Sequence, residues 1–78
     1  MGHACLRVRG EFFALVNREG KLIIKTTKSH VTGLIEEGIG EPFSKGGRVF
    51  EVWVSIVGDD PIVWADTLAA AHAEALSR

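Results

Sequence analysis

The sequence predicts an α+β domain, a two-layer sandwich in which the helices pack on one face of a mainly antiparallel, four-stranded sheet. Three observations support this prediction. Three short apolar segments separated by turn residues open the chain, a longer apolar segment follows the first predicted helix, and an amphipathic helix closes the chain. The predicted order is therefore β-β-β-α-β-α, and strands that are joined by tight turns pair antiparallel.

The first three strands are predicted between residues 4 and 26. In Ala4–Arg9, apolar and basic residues alternate, which is typical of a strand with one face in solvent. Phe12–Asn17 and Lys21–Thr26 are the next two strands, and the β-branched residues of the latter favour an extended backbone. The polar turn Asn17–Gly20 joins them into a hairpin, because Asn and Gly tolerate positive φ.

A helix is predicted next, and it stops at Gly38. Either Thr27 or Ser29 can cap its N terminus. Its apolar stripe consists of Val31, Leu34 and Ile35. The following segment, Gly38–Gly47, contains four glycines and one proline in ten residues, so an irregular loop is predicted there.

The second half of the chain predicts a long strand, Val49–Val57, followed by a helix. All even positions of the strand are apolar, so that face is expected to lie against the core. These positions are Phe50, Val52, Val54 and Ile56. The helix is predicted from Pro61 to about Ser77, because Asp60 is a good N-cap and proline fits the first helical position. Its apolar row consists of Trp64, Leu68, His72 and Leu76.

Composition predicts one domain over residues 1–78, with residues 1–3 frayed. The hydrophobic fraction of 46% and the charged fraction of 24% are typical of a folded domain rather than of a disordered chain. With a net charge of −1, the chain lacks the excess of basic residues that is typical of nucleic-acid-binding proteins. A single cysteine, Cys5, and the absence of a long apolar run predict a cytoplasmic protein that has no internal disulfide and no membrane contact.

No catalytic, cofactor or metal site is predicted from the residue types and their spacing. Zinc sites usually combine four ligands in paired spacings, whereas the three His and one Cys are scattered along this chain. Cys5 has no sequence signature of the base that activates a thiol nucleophile. The Lys45–Arg48 turn lacks the Gly-x-x-x-x-Gly-Lys-Ser/Thr pattern of a phosphate loop. The chain is therefore predicted to be no enzyme and to need no cofactor.

A contact surface is predicted because three of the strands are apolar on both faces, whereas two helices cover only one face of a sheet. The residues expected on the uncovered face are Phe13, Leu15, Ile23, Trp53 and Val57. The simplest partner is a second copy of the chain related by a two-fold axis, and another protein is the alternative. A further alternative is that the Gly38–Gly47 loop folds back over Trp53.

A basic row is predicted across the first three strands if they are neighbours in register. It consists of Arg7, Arg9, Lys21 and Lys25. Such a row can contact the phosphates of a nucleic acid. It can equally be a solvated face that prevents strands from pairing edge to edge.

Several motifs resemble those of a known family. They are Gly10-x-Phe12-Phe13-Ala14-Leu15-Val16, Lys21-Leu22-Ile23-Ile24-Lys25, Gly38-x-Gly40-Glu41-Pro42-Phe43, Trp53-Val54 and Asp60-Pro61-x-x-Trp64. Over about residues 6–76, the chain resembles the N-terminal domain of the TfoX/Sxy family, which is linked to bacterial competence and is similar in style to the MmcQ/YjbR proteins. The resemblance implies a two-layer α/β domain without known catalytic residues and a role associated with transcriptional regulation.

Three functional hypotheses follow from the sequence. The first is a non-enzymatic regulatory domain that acts through protein contacts, as a homodimer or with another protein. The second is a direct DNA-binding protein of the MmcQ/YjbR type. The third is a small-molecule-binding domain or enzyme with a pocket under the Gly38–Gly47 loop, where the polar side chains are Glu41, Ser44 and Lys45.

Overall fold

The computed structural model describes residues 5–77, which form one antiparallel sheet of five strands and two helices. The elements are β1 (Cys5–Val8), β2 (Glu11–Val16), β3 (Leu22–Lys25), α1 (Lys28–Glu36), β4 (Gly40–Lys45), β5 (Arg48–Ile56) and α2 (Pro61–Leu76). The strand order is β1-β2-β3-β5-β4, so β1 and β4 are the edges. The predicted α+β class is confirmed. The frayed start predicted for residues 1–3 lies outside the described residues.

The prediction of four strands is wrong, because the Gly38–Gly47 segment contains the additional strand β4. β4 pairs with β5 from Gly40 opposite Ile56 to Lys45 opposite Arg48, and the two strands are joined by a tight turn in which both glycines have positive φ. Proline is tolerated within β4 because β4 is an edge strand. Composition suggested a loop, but the ladder with β5 supplies the backbone hydrogen bonds.

Gly40 is required at its position by close packing. A Cβ atom there would lie 2.5 Å from Cγ2 of Val54 and 3.3 Å from Cβ of Leu34. The core side of β4 therefore packs directly against α1 and the Val54 side chain of β5, with no room for a side chain at Gly40.

The core lies between the sheet and the two helices. α1 contacts β4 and β5, and α2 contacts β1, β2 and β3. The core cluster consists of Phe13, Ala14, Leu22, Ile24, Val31, Leu34, Val54, Ile56, Ala71 and Ala75. Both helices contribute to this cluster, so they cover the same face of the sheet.

The helix boundaries agree closely with local sequence signals. The Thr27 hydroxyl accepts a hydrogen bond from the backbone N–H of His30, so Thr27 and not Ser29 caps α1. The predicted apolar row of α2 is only partly correct, because small residues face the sheet instead. The buried residues of α2 are Thr67, Ala71 and Ala75. Trp64 and Leu68 pack beside them, whereas His72 and Leu76 are exposed.

The cap of α2 provides a first test of the fold. The Asp60 carboxylate accepts a hydrogen bond from the backbone N–H of Ile62 at 2.9 Å, and Pro61 occupies the first helical position, as predicted. Asp60→Ala is expected to lower the free energy of unfolding by about 1 kcal/mol in urea denaturation. The neighbouring Asp59→Ala is the control, and an equal loss in both variants would contradict a capping role for Asp60.

Candidate functional site

The candidate site is the face of the sheet that points away from both helices, which we call the outer face. Residues paired directly across strands lie on the same face of a sheet, and successive residues alternate between faces. One set of partners on β2, β3 and β5 belongs to the core: Ala14, Ile24 and Val54. The neighbouring set therefore lies on the outer face: Leu15, Ile23 and Ser55.

Phe13, predicted on the uncovered face, lies instead in the core, where it is 5% exposed. The reason is a β-bulge in β2. Leu6 pairs with Ala14, and the next residue, Arg7, pairs with Phe12, so Phe13 is an extra residue without a partner on β1. The extra residue interrupts the alternation of side chains and directs Phe13 toward α2.

Ile23 lies on the outer face as predicted, but it is buried, with an exposed fraction of 3%. Its partner Ser55 is also buried, and Ser55 pairs in turn with Glu41 of β4. The Glu41 carboxylate forms an ion pair with Lys21, with an Nζ–Oε1 distance of 3.5 Å, across this part of the outer face. Ile23 therefore offers little surface to a partner, and Lys21 is engaged within the domain.

Three aromatic rings form a cluster that is separate from the core. They are Phe43 on β4 and Phe50 and Trp53 on β5, which we call the aromatic cluster. Ring centroids lie 5.6 Å apart for Phe43 and Phe50 and 6.4 Å apart for Phe43 and Trp53. All three rings are half-buried, and none belongs to the core or packs against it. The Gly38–Gly47 segment thus contacts Trp53 through a strand residue rather than by folding over it as a loop.

An irregularity in β5 creates the aromatic cluster. Pro42 pairs with Val54, but the next residue, Phe43, pairs with Phe50, so β5 has three more residues than β4 between these positions. The prediction that the even positions of β5 face the core is therefore correct only for Val54 and Ile56. Phe50 joins Trp53 instead, and Val52 is 38% exposed.

Basic side chains flank the aromatic rings on both sides. The Arg48 guanidinium lies 5.7 Å from the centroid of the Phe50 ring, and Lys25 pairs across strands with Trp53. Near the opposite edge of the sheet, on β1 and β2, the Arg7 guanidinium lies 4.4 Å from the centroid of the exposed Phe12 ring. Basic and aromatic residues therefore lie side by side across the five strands. We call this set the basic–aromatic row: Arg7, Phe12, Lys25, Trp53, Phe43, Phe50 and Arg48.

The charge of the domain is distributed unevenly between the two ends of the sheet. Of the eight Lys and Arg residues within residues 5–77, six lie at the end that carries the β1–β2 and β4–β5 turns, which we call the basic end: Arg7, Arg9, Lys25, Lys28, Lys45 and Arg48. The acidic residues at that end are Glu11, Glu51 and Glu74. The opposite end carries most of the others: Glu19, Glu36, Glu37, Glu41, Asp59 and Asp60. One end of the sheet is therefore positively charged although the net charge of the chain is near zero.

The four residues predicted as a basic row do not form one. Arg7 and Lys25 lie in the basic–aromatic row, and Arg9 lies in the adjacent β1–β2 turn. Lys21 lies at the opposite end of β3, beside Glu41. Of the predicted contact surface, Leu15 and Trp53 are half-buried. The last member of that surface, Val57, is 47% exposed.

Sequence reasoning missed Phe43, Phe50 and Arg48 as site residues. A local signal for them exists: Gly46-Gly47 is a two-residue hairpin turn flanked symmetrically by a basic residue and, further out, by an aromatic one. The position of Trp53 beside these residues has no such signal, because it depends on the irregularity in β5.

Other kinds of site have less support among residues 5–77. The described residues contain no group of three or more His, Cys, Asp or Glu that could hold a metal ion. A shallow polar depression on the outer face includes Glu41 and Ser44, but the Glu41 carboxylate is paired with Lys21, and Lys45 lies at the far end of β4. Neither of the two described helices is long and apolar enough to cross a membrane.

Comparison with known proteins adds no relative. No protein-family model matches the chain, and neither the curated proteins nor the solved structures give a match. The resemblance to the TfoX N-terminal domain therefore stays a prediction that depends on the sequence motifs.

Proposed function

We propose that the chain is a non-enzymatic, cytoplasmic binding domain that contacts nucleic acid through the basic–aromatic row. Its role is regulatory, of the kind that the resemblance to the TfoX N-terminal domain implies. Two of the motifs that carry this resemblance contribute Phe43 and Trp53, whose rings are in contact on the outer face. The proposed binding surface therefore includes residues of the motifs on which the resemblance depends.

The observation that carries the proposal is the concentration of positive charge beside partly exposed aromatic rings. Among residues 5–77, six basic residues against three acidic ones give the basic end a formal charge of +3, although the whole chain has −1. A positive surface of this kind attracts phosphates by releasing their counterions. Arginine and aromatic side chains together are the residue types that contact both the backbone and the bases of a nucleic acid.

An apolar protein interface has less support than the sequence suggested. Two of its five predicted members, Phe13 and Ile23, are buried. The outer surface that is left at the basic end is rich in arginine, lysine and aromatic rings rather than in aliphatic side chains.

Binding to labelled oligonucleotides tests the proposal. Fluorescence anisotropy is expected to detect binding at about 50 mM salt and a steep loss at about 200 mM. Arg48→Gln at the basic end is expected to weaken binding and to reduce the slope of log K against log salt by about 0.7–0.9, the value for one phosphate contact.

Arg18→Gln is the matched control, because it removes the same charge in the β2–β3 turn at the opposite end of the sheet. Equal effects of the two variants would show attraction to net charge alone and would contradict the proposed surface. The absence of binding to both single-stranded and duplex oligonucleotides at low salt would overturn the proposed function.

A second copy of the chain is the second candidate partner, as in the predicted homodimer. One exposed residue of the predicted contact surface favours it: Val57 is 47% exposed. Light scattering would then give twice the chain mass of 8.5 kDa, and Val57→Lys would lower that mass. A mass of one chain at high protein concentration contradicts this candidate.

A further inference from the structure

We infer that the nucleic acid is single-stranded, with unpaired bases stacking on the aromatic cluster and phosphates held by the basic residues beside it. This inference rests on the proposed function and names the ligand class for the same surface.

The shape of the surface favours bases with a free ring face. The basic–aromatic row lies on the open face of a sheet, because both helices pack on the opposite face. Bases within a duplex are stacked on one another and present only their edges in the grooves. A ring on the surface of a sheet can stack only on a base that has left such a stack, as in single strands.

The aromatic cluster is arranged as a platform rather than as a closed stack. Its rings meet at interplanar angles of 47° for Phe43 with Phe50 and 49° for Phe43 with Trp53, so neither pair covers its ring faces by parallel stacking. Each of the three rings is half-buried, so part of its surface is accessible to solvent.

Basic side chains lie beside the rings, where the phosphates of a nucleic-acid strand with stacked bases would pass. Arg48 lies against Phe50, and Lys25 lies beside Trp53 on the next strand. Phe12, with Arg7 against its ring, provides a second aromatic position at the other side of the sheet. Because neighbouring strands are about 4.8 Å apart, four steps from β1 to β4 span about 19 Å, which is room for several nucleotides.

The structure also defines the competing mode. The tip of the β4–β5 hairpin carries Lys45 and Arg48. The ladder between β3 and β5 covers only positions 53–55 of β5, so the hairpin extends beyond β3 as a two-stranded ribbon. A two-stranded ribbon can enter the major groove of a duplex. In that mode the phosphates and base edges would make the contacts, and the ring faces of the aromatic cluster would not be needed.

The test compares three labelled probes with about the same number of phosphates: oligothymidine of about 20 nucleotides, a duplex of about 10 base pairs, and an abasic single strand of about 20 nucleotides. Anisotropy is expected to give the tightest binding for oligothymidine. The abasic strand should bind at least severalfold more weakly, because it keeps the charges and lacks the bases.

Variants test whether the aromatic rings cause the difference in affinity between oligothymidine and the abasic strand. Trp53→Ala is expected to weaken oligothymidine binding about 5-fold to 150-fold, the range for losing one stacked base, and to leave abasic binding unchanged. Trp53→Phe should retain most of the affinity, and Val57→Ala is the control outside the cluster. Phe50→Leu is the second variant, since it removes a ring but keeps the apolar volume if Trp53→Ala fails to fold.

The outcomes separate the two proposals. Equal or tighter binding to the duplex, or equal binding to the abasic strand, overturns the single-strand inference while the proposed nucleic-acid function stands. No binding to any of the three probes overturns both. Preference for oligothymidine that is lost in Trp53→Ala or Phe50→Leu supports both.

Discussion

Phe13→Ala is expected to lower the free energy of unfolding by about 3–5 kcal/mol, the usual cost of removing a buried phenylalanine ring. The Phe13 ring is 5% exposed and lies 5.3 Å from the His72 ring of α2, measured between centroids. Its loss would leave a cavity between the sheet and α2. Urea denaturation followed by circular dichroism measures the effect.

Phe12→Ala is the matched control, because the same side chain is removed from the adjacent position. The Phe12 ring is 40% exposed, and its contact is with Arg7. A loss of less than about 1.5 kcal/mol is expected there, well below the range for a buried ring. If the two variants were reversed in effect, β2 would lack the bulge and Phe13 would face outward, as simple alternation predicts.

Gly40→Ala is expected to lower the free energy of unfolding by about 1–3 kcal/mol through overpacking. The new Cβ would lie 2.5 Å from Cγ2 of Val54 and 3.3 Å from Cβ of Leu34, and both neighbours are buried in the core. β4 would have to move away from α1 to relieve the contact. Urea denaturation measures the loss, and reduced hydrogen-exchange protection in β4 would locate it.

Gly33→Ala provides a control of opposite sign. Gly33 lies within α1, its φ is not positive, and a Cβ there would meet nothing within 4 Å. Alanine is expected to stabilise the domain by about 0.5–1 kcal/mol, because glycine loses more backbone entropy in a helix. A stabilising effect at both positions would contradict the close packing of β4.

The part of the fold that the sequence predicted well depends on neighbours in the chain. Asp60 and Pro61 mark the start of α2, and Asn17 and Gly20 form the β2–β3 turn. The Asn17 side chain accepts hydrogen bonds from the backbone N–H groups of Glu19 and Lys21. Caps and turns are satisfied by atoms within four residues, so residue types alone identify them.

The part that the sequence predicted poorly depends on partners that are distant in the chain. β4 looked irregular by composition, and only its ladder with β5 makes it a strand. Phe13 and Phe50 were assigned to the wrong faces because each lies at an irregularity. One extra residue in β2 and three in β5 interrupt the alternation on which the assignment rested. The periodicity of the sequence cannot show where the register between two paired strands shifts.

The candidate site was predicted only in pieces for the same reason. Arg7, Lys25 and Trp53 were each selected from the sequence, but as members of two different surfaces. Strand order and register bring them into one row with Phe43 and Phe50. The same register separates Lys21 from that row and pairs it with Glu41.

By itself, the sequence determined the α+β class, the start of α2 and the β2–β3 turn, because short-range hydrogen bonds and apolar periodicity define them. Only the tertiary structure decided the fifth strand, the buried position of Phe13 and the separation of charge between the two ends of the sheet. These features arise from pairing between distant segments, in which a single bulge changes the face that a side chain occupies. Net charge is a sum over the chain and contains no position, so the basic end emerges only when the strands are placed side by side.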